Sequence, residues 1–295
     1  MSFTRSSIRA SRSADRPRPP TKGFWSRFSR NRGAGLGLVL LAAIVALAAA
    51  APLLYPVDPF GLVGRPLAPP SSEFPLGTDL LGRDVAAGIA HGARTSLLVG
   101  VIATAVAVGL GTLIGGAAGY HRGTVDDLLM RLTELFQTIP AFILAIVLVT
   151  ILAPSIASIV VAIAVVSWPP VARLVRGQFL ALRDREFVQA CRALGMTDGR
   201  IILRHVLPNC LSPVIVTGSL MVATAILAES ALSFLGLGDP NVMSWGFQIG
   251  QGRTLLRNAW WVATFPGFTI LLTVLAINLV GEGLNDGLNP RLREA

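Results

Sequence analysis

Apolar runs about 20 residues long recur through this chain, and no other feature restricts its fold as strongly. In hydrocarbon the backbone has no water to bond with, so such a run must close its own hydrogen bonds as a helix or join a closed barrel. Barrel strands are about ten residues of alternating polarity. The runs here, at 34–54, 96–118, 135–152, 155–171, 211–237 and 261–280, are continuously apolar. The expectation is an all-α, polytopic membrane protein with six transmembrane helices. Composition agrees: 53% of the 295 residues are hydrophobic and 14% are charged, against roughly 25% charged in soluble domains.

Charge sets the orientation. The formal net charge is +9, yet the basic residues form no single stripe of the kind that binds nucleic acid, and that class is set aside. They sit between the apolar runs: in the tail before Gly33, at Arg122 to Arg131, through 173–210, and at Arg291 to Arg293. The positive-inside rule places those segments on the cytoplasmic face, with both termini. The opposite face carries Asp58, Glu73, Asp79, Asp84 and Asp239. Residues 1–33 then read as a basic cytoplasmic tail and 34–54 as a first transmembrane helix. The apolar run is longer than a signal peptide's, so this helix is read as uncleaved.

Residues 55–93 hold six prolines among scattered acids and read as an external loop. A core membrane domain follows over 94–283, and 284–295 form a cytoplasmic end. Pro140, Pro169 and Pro170 interrupt or flank the third and fourth spans, which predicts kinked helices. Trp245 and Trp260 read as part of an aromatic belt at the outer interface. Cys191 and Cys210 fall in the cytoplasmic part, where thiols stay reduced, and the three histidines have no ligand partners at metal spacing.

The longest internal cytoplasmic segment, 173–210, contains EFVQACRALG at 186–195 and MTDGRIILRHVLP at 196–208. Phe187, Ala190, Cys191 and Leu194 recur at helical spacing and form one apolar stripe, with Arg185, Gln189 and Arg192 opposite. Gly195 stands where a left-handed cap ends such a helix. Thr197 or Asp198 begins a second helix, which Pro208 limits. A short amphipathic helix of this kind lies on lipid or docks a partner, and periodicity does not choose between them.

The spacing of Gln189, Ala190, Gly195 and Pro208 resembles the EAA loop of ABC importer permeases. GTDLLGRD at 77–84, GARTS at 92–96, SALSFLGLG at 230–238, SWG at 244–246 and GEGLNDGLNPRL at 281–292 resemble the dipeptide and oligopeptide group, in particular its shorter, second permease subunit. Gln189 replaces the family's Glu, Cys191 its second Ala, and Glu282 and Asn289 stand where Asp is common. The resemblance implies a type I importer permease fold. It also implies a coupling helix, with Glu186, Phe187, Gln189, Ala190, Cys191, Arg192, Leu194, Gly195 and Pro208, that docks on an ATPase. The partners so implied are a homologous second permease, two ATPase subunits that bind the ATP, and an external substrate-binding protein. The cargo would be di- or oligopeptides, with nickel chelates or glutathione-like solutes as alternatives.

The residues themselves agree with a chain that is no enzyme and holds no cofactor. Lys22, the sole lysine, follows no Gly-rich loop, so the phosphate-binding G-x-x-x-x-G-K-[ST] does not occur. Glu229 is the one carboxylate deep in an apolar run, and is a candidate for the substrate pathway or for helix pairing. A channel or ion-driven carrier is the competing class, and several charges at bilayer depth would be its mark.

Overall fold

The computed structural model describes Phe28 and residues 31–288. Lys22, most of the basic tail, Asn289 and the Arg291 to Arg293 end lie outside the described residues. Among these residues the regular secondary structure is helical, apart from an isolated antiparallel bridge between Thr78 and Asp84. We number the helices α1 Arg32–Leu54, α2 Val85–His121, α3 Gly123–Thr138, α4 Ala141–Leu152, α5 Ile156–Arg183, α6 Glu186–Ala193, α7 Asp198–Leu237, α8 Trp245–Gly252 and α9 Trp261–Leu288.

Five of these, α1, α2, α5, α7 and α9, are long and apolar enough to cross a bilayer alone. The third expected span is different. Its residues divide between α3 and α4, which meet at Ile139 and Pro140 with a bend of 86°. Pro140 cannot donate to the preceding turn, so the helix breaks there. The 12 residues of α4 reach only about 18 Å at 1.5 Å per residue, so α3 and α4 make a sixth crossing only together. Pro169 and Pro170, by contrast, lie inside an unbroken α5.

Helix ends also run beyond the apolar stretches. α2 begins at Val85, eleven residues before the run that marks it, because the Asp84 carboxylate accepts the Ala86 amide at 2.8 Å and caps the first turn. The segment from Pro56 to Arg83 is a compact cap over the end of the bundle. Asp79 Oδ1 accepts the amides of Leu81 and Arg83 at 2.8 and 2.9 Å, and Trp261 Nε1 donates to the Thr78 carbonyl at 3.0 Å. Burial raises the Asp84 carboxyl above the usual carboxylate range, and the amides of Ala86 and Ala87 partly offset this.

The centre of the bundle is the α2–α5 pair. Ala103, Ala107, Gly111, Gly115 and Gly119 recur every four residues, and all are buried. A Cβ on Gly115 would stand 2.2 Å from the Ala172 carbonyl oxygen of α5, so only glycine permits this approach. In lipid, where apolar surface gains nothing by leaving the solvent, such backbone contact is what holds helices together. Asp126 of α3 is tied to the same helix: Arg176 Nε and Nη2 donate to its two oxygens at 2.5 and 2.7 Å.

Candidate functional site

Two places in the bundle bring chemistry-bearing side chains together, one at each end of α2. The first is at the Arg-rich end. Its short helix α6 spans Glu186–Ala193, and Gly195 follows with φ +76°, the left-handed turn the sequence leads one to expect. Its N–H donates to the Arg192 carbonyl at 2.9 Å, and the Met196 N–H to the Cys191 carbonyl at 3.1 Å, so carbonyls at the helix end are satisfied.

The apolar stripe divides in two. Val188, absent from the expected stripe, is fully buried, and it packs with half-buried Cys191 against Tyr120, Phe179 and Ile201. Phe187, Ala190 and Leu194 face outward, with Leu194 82% exposed. The helix thus has one apolar side on its own chain and another with no cover among the described residues. Glu186, Gln189 and Arg192 are exposed, and Gln189 Nε2 donates to the Asp184 carbonyl at 3.2 Å.

The second helix of this unit departs from expectation. Pro208 does not limit it: four α-helical residues, Asp198–Ile201, lead through a π-helical turn, Ile202–Val206, straight into the fifth span. A proline in the first turn of the following segment lacks only an N–H that has little to bond there, and the wider π turn absorbs the register. Residues 198–237 are therefore one continuous element, so α6 is hinged directly to a membrane helix.

Around this hinge most of the polar groups are paired, Arg183 Nε being buried without a hydrogen-bond partner. Tyr120, in the last turn of α2 and 3% exposed, donates its hydroxyl to Asp198 Oδ1, while its carbonyl accepts from Arg183 Nη1. The guanidinium carbons of Arg183 and Arg192 stand 5.7 and 5.6 Å from the ring centroid. The nearby Tyr120 hydroxyl is the first cause raising the Arg192 guanidinium above its ordinary value. Arg122 Nη2 donates to Asp184 Oδ2 at 2.5 Å.

The second place surrounds Glu229 in α7, which is fully buried. Ser233 Oγ donates to Oε1 at 2.8 Å, Ser96 Oγ of α2 donates to Oε2 at 3.1 Å, and Ser230 Oγ donates to Oε2 at 3.3 Å. The Trp245 amide reaches Ser96 Oγ at 3.4 Å. This geometry joins α2, α7 and the start of α8, and the carboxylate has no exposed surface from which to meet a solute. Trp245 is the correction here: it is no belt residue but is wholly buried, with Nε1 donating to the Ile89 carbonyl at 3.0 Å. Trp260 is 50% exposed and packs edge-on to Trp261. Beyond this cluster an open cleft of about 390 Å³ is lined by Asp58, His91, Arg94 and Asn241 among others.

Sequence reading missed Tyr120, Asp126 with Arg176, and the serines around Glu229. Small residues every four positions along α2 were the one signal that could have located the α2–α5 contact.

Known proteins agree with this architecture. Residues 111–294 match the family described as binding-protein-dependent transport system inner membrane component, and 19–70 match the N-terminal TM domain of oligopeptide transport permease C. The di/tripeptide transport system permease protein DppC of Pseudomonas aeruginosa is 42% identical over 94% of each chain. The glutathione transport system permease protein GsiD of Pectobacterium atrosepticum is 38% identical, covering 94% of this chain and 93% of its own. Among solved structures, an inward-facing MetNI methionine ABC transporter chain superposes with a TM-score of 0.57 at 18% identity, covering 68% of this chain and 96% of that one. At that identity it shows the fold alone.

Proposed function

This chain belongs to the family of inner membrane components of binding-protein-dependent transport systems, and on that premise we propose that it forms half of the pathway of an ATP-driven importer of di- or oligopeptides. A homologous permease supplies the other half. Two ATPase subunits bind and hydrolyse the ATP, so this chain needs no cofactor and is no enzyme. An external binding protein delivers the cargo. The Arg-rich end, with both termini, faces the cytosol.

One observation carries the coupling role: the apolar stripe of Phe187, Ala190 and Leu194, uncovered among the described residues, on a helix hinged to a membrane span. Such a stripe on a short, otherwise polar helix fits a groove on another protein. The small Ala190 lets the helix backbone approach closely, Glu186 and Arg192 flank the contact, and Gly195 turns the chain back toward the membrane. Gln189 carries no charge, so an ion pair from that position plays no part. Closure of the ATPases on nucleotide would move α6 and bias the bundle between inward-open and outward-open states, which is how one ligand shifts a two-state equilibrium. Relatives named for dipeptides support the cargo, and the outer cleft presents Asp58 and Arg94, opposite charges suited to a zwitterionic peptide. Glu229 serves the pathway indirectly, by fixing α2 against α7.

Reconstitution tests the reading. The assembled transporter in proteoliposomes should accumulate a labelled dipeptide only with internal ATP and external binding protein. Uptake that persists without nucleotide would assign the chain to channels or ion-driven carriers. Competition by glutathione stronger than by dipeptides would change the cargo and leave the mechanism intact.

A further inference from the structure

The short helix α6 joins the membrane body through two turns, 184–185 and 194–197, and through the packing of Val188 and Cys191. Turns swing easily, so movement of α6 needs a stiffer contact to reach the bundle. We infer that Tyr120 is that contact: a positioning residue that ties the ends of α5, α6 and α7 to α2 and passes displacement of α6 into the α2–α5 pair.

The geometry is specific. A single side chain from the last turn of α2 bonds Asp198, the first residue of α7, and lies under Arg192 in the last turn of α6. Its ring faces the guanidinium groups of Arg183 from α5 and Arg192 from α6. The Tyr120 carbonyl accepts from Arg183 as well, so backbone and side chain are held together. Four helix ends thus meet on one residue that is nearly out of solvent.

What happens at Tyr120 is not absorbed locally. The small-residue ladder locks α2 onto α5 from the adjacent residue inward, where Gly119 lies against the Arg176 carbonyl and Gly115 against that of Ala172. Closely packed helices transmit small shifts because they have discrete arrangements and do not deform continuously. The far end of α2 carries Ser96, bonded to Glu229, and Gly92, packed on Ser244 and Trp245. One helix therefore connects the hinge to the buried carboxylate across the membrane.

This inference rests on the coupling role proposed for α6, and its test separates the two. Tyr120→Phe keeps the ring and removes the hydroxyl, while Asp198→Ala removes the carboxylate that accepts from it. In the purified assembled transporter, hydrogen exchange over 186–197 should quicken in either variant by roughly tenfold, the effect of losing one charge-assisted hydrogen bond from a two-state equilibrium. In proteoliposomes, ATP hydrolysis should hold within about twofold while peptide taken up per ATP falls by roughly tenfold. The double variant should be no worse than either single, because both remove the same bond. Unchanged exchange, losses that add in the double variant, or hydrolysis and uptake falling together would overturn the inference. Absence of ATP-dependent uptake by the unmodified assembly would overturn the coupling role instead, and the exchange measurement would still decide the joint.

Discussion

The two ends of α2 solve the same problem with opposite chemistry. At the Arg-rich end, Tyr120, Arg183, Arg192 and Asp198 join helices through full charges, and the flanking Arg122–Asp184 pair is about half exposed. At the other end one carboxyl, Glu229, is wholly buried and bonded by serines, with no cation bonded to it among the described residues. Charges beside water cost little to separate and re-form, whereas a buried carboxyl is tolerable only while the hydroxyls around it stay in place. The first end can move without unfolding. The second is held as a unit, which suits a fixed point against which the first is displaced.

That contrast can be broken by substitutions whose expected cost falls from the buried end to the exposed one. Glu229→Ala should destabilise most, by about 2–4 kcal/mol, because buried hydroxyls lose their acceptor, and it should appear as a lowered thermal midpoint of the purified protein in detergent. An unchanged midpoint would mean that the serine cluster is not a structural node. Gly115→Ala comes next at about 1–3 kcal/mol, since the new methyl meets a backbone oxygen that cannot turn aside, and the same thermal measurement reads it. Gly195→Ala should cost about 1 kcal/mol for holding a side chain at φ +76°. Ala190→Arg, on the exposed stripe, should change stability by no more than about 0.5 kcal/mol and yet abolish ATP-dependent uptake with hydrolysis retained. A large thermal shift in this last variant would remove the distinction between the two ends.

How much of this is legible without coordinates differs by element, for physical reasons. α1 and α9 are continuous apolar runs, and lipid leaves such runs little freedom. The left-handed bend at Gly195 follows from the end of an amphipathic period. The start of α2 was hidden because Val85 to Thr95 includes His91 and Arg94, although Asp84 carried the capping signal. Pro140 was visible as a breaker, but not that the break would turn the chain by 86°. Pro208 and Trp245 misled for a common reason: a proline or tryptophan has several favourable settings, and neighbours distant in sequence select among them. Trp245 is buried because Gly92 lets α2 approach it. Side-chain bonds between remote positions, such as Ser96 with Glu229 and Tyr120 with Asp198, leave no period to read.

The central claim is that the outward stripe of α6 lies on an ATPase in the cytosol, and side-resolved labelling tests it directly. With Ala190→Cys in a Cys191→Ser background, a membrane-impermeant maleimide should react in inside-out vesicles and not in intact spheroplasts, and a bifunctional reagent at that position should link the chain to an ATPase subunit. Labelling from the external face, or full reactivity with no link to an ATPase in the assembled transporter, would contradict the account.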